Sequence, residues 1–551
     1  MKPPASRLAH TPLLVVFLAA LALGQQKNWQ TLAASDPILQ AMRAELERSK
    51  LQLKLDQVAA PYYIEYRVFD VDDFSAEASY GSLRSSVHAR GRVLRVVVRI
   101  GDYKQDSYFG RGEGALNLLG LDDDLLAFRH ALWLATDNAY KQAAEALAEK
   151  QAQLKQFTID EPTDDLAHAE PVQSIAQTVK LELNPSAWTR MLEDATALFR
   201  DDPQIETFGS GLHFQATNRY YVNSEGTILR SGQTAYEMSI SCSTQAADGM
   251  YLQRNNGFVE TSLAKMPSSP VFVGRARELA ASLKALRESP MVDESYRGPV
   301  LLSADAATTV FADLVGENVL GMKPALGKSG RTTTRFATSY KSRVLPDFIS
   351  VDDDPTTASY QGRTLIGSYE FDDEGVPARK VPVIENGILT NFLLGRQPIR
   401  DFPASNGHGR ARIPSNGPGP SLGNLIVRSN HAASPEELKT KFLDLCKQRD
   451  LPYCYRVETF GPKFVPRLLY KVWVKDGHQE LVRGAVFADL DTRALRSDLV
   501  AAGSDVYIES HLLNIPHSIE SPSVLFDELE VKRASLNKEK LPDYPPPPLG
   551  H

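Results

Sequence analysis

The 551-residue chain predicts a multi-domain α+β protein with mixed sheets, long helices and a strand-rich C-terminal domain. Three observations lead there. The chain is longer than a single hydrophobic core fills. Apolar residues make up 42% of it, enough to build cores and too many for wholesale disorder. Stretches with helical and with strand spacing follow one another to about residue 295, and beyond that strands and hairpin turns dominate. The net charge is −7 with Lys and Arg scattered along the chain, which argues against nucleic acid as a partner.

Residues 1–24 read as a signal peptide. Lys2 and Arg7 give a positive start, Leu13 to Leu23 is an uncharged apolar run, and Ala22 and Gly24 are small residues spaced for cleavage before Gln25. The run is short for a membrane anchor. No Cys follows it, so a lipoprotein is not indicated. The expected product is exported, periplasmic or secreted, with no stable membrane span after cleavage.

A first α+β domain is expected over residues 30–120. Asp36-Pro37 opens a helix with a cap and a Pro at its first position, and Ile38, Leu39, Met42 and Leu46 recur on one face. Tyr62, Ile64, Tyr66 and Val68 alternate with Tyr63, Glu65 and Arg67 at strand spacing, and Arg92 to Ile100 is a second strand.

A middle region is expected over residues 121–295. Asp122-Asp123-Asp124 starts a helix reaching about Lys155, with acidic residues favourably placed against its dipole. His130 has no second His one turn away, so it reads as a surface residue rather than a metal ligand. Glu161 to Glu170 is an acidic loop. Ala187–Arg200 and Ala276–Arg287 read as helices. Asn218–Arg230 reads as a hairpin turning at Asn223-Ser224-Glu225-Gly226, with Tyr236–Cys242 continuing the strands.

The strand-rich domain is expected over residues 298–532, followed by a Pro-rich tail at 533–551. Gly298–Leu302 is a strand entering a helix at about Ala304. Gly367–Phe371 and Lys380–Ile384 are strands around the turn Asp372-Asp373-Glu374-Gly375. Asn386-Gly387 turns a hairpin into Ile388–Leu394. Ser434-Pro435-Glu436-Glu437 is a capping box for a helix through Lys447. Leu468, Tyr470, Val472 and Val474 alternate before the turn Asp476-Gly477.

Cys242, Cys446 and Cys454 are the only cysteines. Export would permit a Cys446–Cys454 disulfide; two buried thiols are the other reading. Asp352-Asp353-Asp354 and Asp372-Asp373-Glu374 have the chemistry for a cation such as Ca²⁺, but such clusters are more often turns. No G-x-S-x-G elbow or phosphate-binding Gly loop is present. His478 and Glu480 lack a second His at ligand spacing.

Several stretches resemble the TldD/PmbA family. They are Gly298-Pro299-Val300-Leu301-Leu302, Val351-Asp352-Asp353-Asp354-Pro355-Thr356, Gly367 to Pro377 with its D-D-E-G-x-P turn, Val383 to Leu389 with E-N-G-x-L, Gly407-His408-Gly409-Arg410-Ala411-Arg412, and Ser521 to Phe526. The resemblance covers about residues 298–532 and implies a metallopeptidase-related scaffold. Active members carry H-E-x-x-x-H on the helix after the first of these strands, where two His bind zinc and Glu activates water. Matched on the strand and on Gly316, this chain has Ala312, Asp313 and Glu317 at those positions. The family's third ligand, a Cys near the C-terminal strands, has no counterpart between Asp505 and Ser523, where His511 and His517 stand instead.

The resemblance therefore implies the TldE/PmbA type, which lacks the zinc motif. The expectation is a non-catalytic subunit without metal or other cofactor, paired with a zinc-bearing TldD-like homologue around a peptide or unfolded-protein substrate. Two alternatives remain open. One is an active zinc peptidase with a site rebuilt from Glu317, His511 and His517, although such residues usually occur without a metal. The other is a stand-alone peptide-binding protein.

Overall fold

The computed structural model describes residues 33–108, 116–156, 162–292, 295–411, 417–512 and 515–535. The expected signal peptide and the Pro-rich tail beyond residue 535 lie outside the described residues. The α+β prediction holds, with helices and mixed sheets throughout.

Helix α1 (Pro37–Gln52) starts as its sequence dictates, with Asp36 accepting a hydrogen bond from the Leu39 N–H at 3.0 Å. Strands β1 (Pro61–Ser79) and β2 (Ser82–Ile100) form a hairpin through Tyr80-Gly81, both at positive φ. Strand β3 (Leu116–Leu119), helix α2 (Leu125–Leu154), β4 (Gln173–Ile175) and α3 (Pro185–Ala197) follow. Then come β5 (Thr207–Asn223), β6 (Ile228–Gln245), β7 (Tyr251–Glu260) and α4 (Ser269–Glu288). One seven-stranded sheet runs β3-β2-β1-β5-β6-β4, with β7 on β6. It crosses the boundary expected at residue 120, because β1 pairs antiparallel with β5 from Glu65↔Asn223 to Ser79↔Gly209. Near one end of the sheet, α1 and α2 share a core through Leu39, Met42, Leu132 and Ala135. Helices α3 and α4 share a second core through Leu192, Phe272, Ala276 and Leu283.

Strand β8 (Tyr296–Leu302) leads into α5 (Ala304–Leu314), capped by Ser303. The remaining strands are β9 (Ile349–Asp353), β10 (Ser359–Tyr360), β11 (Arg363–Thr364), β12 (Val381–Glu385), β13 (Ile388–Leu389), β14 (Gly409–Arg410), β15 (Gly419–Pro420), β16 (Asn424–Ser429), β17 (Ala432–Ala433), β18 (Tyr453–Phe460), β19 (Pro466–Trp473), β20 (Gln479–Val482), β21 (Ala485–Phe487), β22 (Leu499–Gly503), β23 (Tyr507–His511), β24 (His517–Ser521) and β25 (Val524–Arg533). Helix α6 (Pro435–Gln448) and the short α7 (Thr492–Ser497) join them. One sheet runs β17-β22-β25-β8-β18-β19-β20, with β21 on β25, and another runs β13-β12-β9-β16-β24-β23. A single core serves both; Val310 and Phe311, fully buried, fix α5 in it. Truncating Phe311 to Ala would cost about 3–5 kcal/mol.

The capping box at Ser434 and Glu437 forms as read. Asn386 and Gly387 take φ of 48° and 77°, as a two-residue hairpin turn requires. Cys446 and Cys454 are joined by a disulfide and Cys242 is a buried thiol.

Two strand expectations fail. Gly367–Phe371 is irregular, because polar partners replace a ladder there. The Gly367 N–H donates to Asn424 Oδ1 at 3.1 Å and the Tyr369 N–H to the Pro355 carbonyl at 3.0 Å. A Cβ on Gly367 would stand 2.0 Å from the Gly423 oxygen, so the close approach requires glycine. The strand after Asn386-Gly387 ends at Leu389 rather than Leu394, since the Leu393 N–H turns to the Val319 carbonyl at 2.8 Å.

Candidate functional site

The helix expected to carry the metal motif faces β23 and β24 across a polar cluster. Thr308 Oγ donates to Glu509 Oε2 at 2.9 Å, joining residues 201 positions apart. Thr459 Oγ donates to Asp305 Oδ2 at 3.3 Å. Glu509 and His511, two apart on β23, share one face and come within 3.6 Å of each other. The His511 and His517 rings stack with centroids 4.8 Å apart across the β23–β24 pair, and His517 Nδ1 lies 2.8 Å from the Ile515 carbonyl.

The electrostatics follow from this arrangement. Burial and the neighbouring Glu509 raise the Asp305 carboxyl to about 6. The same two causes raise Asp313. Burial works to raise Glu509, but the imidazole of His511 at 3.6 Å and the hydrogen bond from Thr308 outweigh it and hold the group below the ordinary glutamate value. The nearby Glu509 carboxylate raises His511, whereas burial lowers His517.

The positions matched to H-E-x-x-x-H are scattered differently. Ala312 packs against the core and offers no donor atom. Asp313 is exposed, within electrostatic reach of Glu509 and His511. Glu317 is exposed in a 3-10 turn (Gly316–Asn318) past the end of α5. The structure thus brings His511 and His517 together without Glu317. Among the described residues no three His, Cys, Asp or Glu side chains are arranged to hold a metal ion. The donor set does not fit zinc. His130 is exposed beside Trp133, and His478 contacts Asp476 in the turn.

Sequence reading missed Asp305, Thr308 and Glu509. The available signal was spacing: Asp305, Thr308 and Ala312 fall on one helical face, and Glu509-x-His511 on one strand face.

The acidic turns form a different structure, and the one at Asp372–Glu374 joins the two halves of the chain, since Asp373 lies 3.5 Å from Arg219 of β5. Asp372 accepts the N–H groups of Glu374, Val376 and Gly409. Asp373 accepts Arg410 Nε at 3.1 Å and the Ala411 N–H at 2.7 Å. Burial and the adjacent Glu374 hold the Asp372 carboxyl above the ordinary carboxylate value, and burial raises Glu374 as well. Asp353 meets His408 Nε2 at 3.1 Å, both fully buried, and accepts the Gly423 N–H. Asp352 pairs with Arg428 and Lys380, and Asp354 caps its own turn through Thr356 and Thr357. These carboxylates are engaged by protein donors, which favours the turn reading over Ca²⁺ at both clusters.

Residues 295–533 match the family described as the PmbA/TldA metallopeptidase C-terminal domain. These residues belong to the TldD/PmbA family. Metalloprotease PmbA of Escherichia coli O157:H7 is 25% identical over 216 residues, covering 39% of this chain and 44% of that protein. A metalloprotease PmbA homolog of Haemophilus influenzae is 23% identical over 264 residues, covering 47% and 54%. The chain thus spans about half the length of these curated relatives. The crystal structure of TldE from Thermococcus kodakarensis has the same fold, with a TM-score of 0.58 at 15% identity, covering 90% of this chain and 100% of that one. The family match confirms the resemblance over residues 298–532, and the structural match extends the likeness in fold to the N-terminal half.

Proposed function

We propose that this metallopeptidase-related chain is the non-catalytic subunit of an exported peptidase complex, holding peptide beside a zinc-bearing homologue. The observation that carries this reading is the donor set on α5. Where the family's active members place His, Glu and His, this chain has Ala312 packed on the core, Asp313 beside Glu509, and Glu317 on a turn beyond the helix. A zinc peptidase needs three protein donors converging on one point. The scaffold is present without that convergence, and a scaffold of this kind retains a use when a partner supplies the metal. Export is supported by the charged, apolar and small-residue pattern of residues 1–24 and by the Cys446–Cys454 disulfide, which persists in oxidising compartments.

The test is co-expression with an exported H-E-x-x-x-H homologue from the same genome. The two chains are expected to co-elute at equal amounts, with peptidase activity and zinc present only when the homologue is. A chain that elutes alone beside that homologue at micromolar concentration overturns the partner role. N-terminal sequencing of the protein from a cell fractionation is expected to begin at Gln25.

A further inference from the structure

Arg254 stands on β7 opposite Cys242 of β6 and is only 9% exposed. Its Nε and Nη1 have no hydrogen-bond partner among the described residues, and no carboxylate among them pairs with it. Buried polar groups are otherwise almost always satisfied, and a buried guanidinium more stringently than most. The charges that act on Arg254 are Arg467 of β19, which repels it, and Asp305 of α5, which attracts it. Tyr470 of β19 is a further neighbour.

Arg467 is held close to the same place. Its Nε lies 2.8 Å from where a Cβ on Gly461 would stand, so glycine leaves room for the guanidinium at the end of β18. Two residues back on that strand, Thr459 bonds Asp305. Two guanidiniums and one carboxylate therefore gather where the N-terminal sheet meets the first turn of α5. The two Arg carry two positive charges and Asp305 offsets at most one. Glu458 and Glu509 also act on Asp305 but stand against Arg456 and His511, so the surplus positive charge at the two Arg is small and suits a monoanion better than a phosphate dianion. Arg is also the residue best shaped to hold a planar carboxylate.

We propose that Arg254 and Arg467 form a receptor for a single carboxylate group carried by a bound peptide, either at its C-terminus or on an acidic side chain. The inference rests on the peptide-binding reading above and adds a ligand group to it. Arg254 is the positioning contact in the buried wall, and Arg467 supplies charge beside it.

The test uses the whole mature chain and three labelled hexa-alanine peptides, read by fluorescence anisotropy. One has a free C-terminal acid, one a C-terminal amide, and one an amide with a single Glu. The acid or the Glu peptide is expected to bind at least ~10-fold tighter than the plain amide, and whichever gains identifies the source of the carboxylate. Arg254→Met is expected to abolish that gain, so that the three peptides bind alike; Arg254→Lys is expected to restore part of it. The comparison among peptides on the wild-type chain stands even if a variant fails to fold. Equal binding of all three peptides overturns the carboxylate receptor and leaves the peptide reading intact. If no peptide binds, acetate decides. Stabilisation by acetate over chloride in wild type, lost in Arg254→Met, keeps the receptor and removes the peptide; no such stabilisation overturns the receptor as well.

Discussion

Arg396 holds Glu225 through two hydrogen bonds of 2.7 Å each, tying the C-terminal half of the chain to the β5–β6 turn of the N-terminal sheet. The Arg396 side chain is 1% exposed, and it also donates to the Ala167 carbonyl at 2.7 and 3.0 Å and lies over the Tyr63 ring. Its backbone N–H donates to Glu374, so the D-D-E-G turn and this clamp form one network. Arg396→Met would leave the Ala167 carbonyl without its guanidinium donor and the Glu225 carboxylate without its charge partner, with Tyr103 and Asn223 still donating to it. The expected loss is about 3–5 kcal/mol. Urea denaturation followed by Trp fluorescence checks it, and Glu225→Gln, which keeps one acceptor, should lose less. An unchanged midpoint for Arg396→Met would show that the two halves are held together elsewhere.

Asp305 gives a pH dependence of definite sign. Its folded-state value of about 6 lies above the ordinary carboxylate value, because burial and Glu509 disfavour the charge. A raised carboxyl contributes stability that is fully present below the unfolded value and is lost as pH rises through about 6. Asp305→Asn should therefore stabilise the protein at pH ~8 by about 1–2 kcal/mol, after discounting for partial exposure, and change nothing at pH ~3.5. Chemical denaturation of both proteins across that range measures it. A larger gain at low pH than at high pH would contradict the placement of Asp305 beside Glu509.

The parts of this structure that were legible in sequence are those set by neighbours along the chain. Asp36 before Pro37, Ser434 with Glu437, and Asn386-Gly387 each satisfy or turn the backbone within a few residues, and each is found as read. The alternation from Tyr62 to Val68 correctly marked a strand, but it implied a solvent face that does not exist. Tyr63, Glu65 and Arg67 are buried too, because that face meets Tyr221 and Arg396 from far along the chain. The site was opaque for the same reason. Thr308 and Glu509 have no motif between them, and a search for His and Cys passes over an Asp, a Thr and a Glu. The boundary expected at residue 120 followed a change in local texture, which carries no information about the β1–β5 pairing.

Zinc should leave the isolated chain unaffected. A site rebuilt from Glu317, His511 and His517 that bound zinc at ~1 µM would add about 2.7 kcal/mol at ~100 µM free metal, an easily measured rise in melting temperature. His511 is engaged by Glu509 and stacked on His517, while Glu317 lies past the end of α5. The expected outcome is an unchanged melting curve and no stoichiometric metal by elemental analysis after gel filtration. A rise that His511→Ala removes would revive the hydrolase reading.

The Cys446–Cys454 bond closes a short loop between the last turns of α6 and the start of β18, with a sequence separation of 8. Chain-entropy arguments give a loop of that size about 2–3 kcal/mol of stabilisation. Both cysteines are fully buried in the C-terminal core beside Tyr455 and Phe442, so the bond is shielded from solvent reductants in the folded state. The protein is expected to keep it under mild reductant and to lose it when denaturant and reductant are combined. Cys446→Ala with Cys454→Ala should lower the urea midpoint by an amount corresponding to roughly that free energy plus a small cavity term. Thiol counting on freshly isolated protein should find one free thiol per chain, that of Cys242, after full unfolding. Three free thiols in freshly isolated protein would remove the disulfide from the support for export.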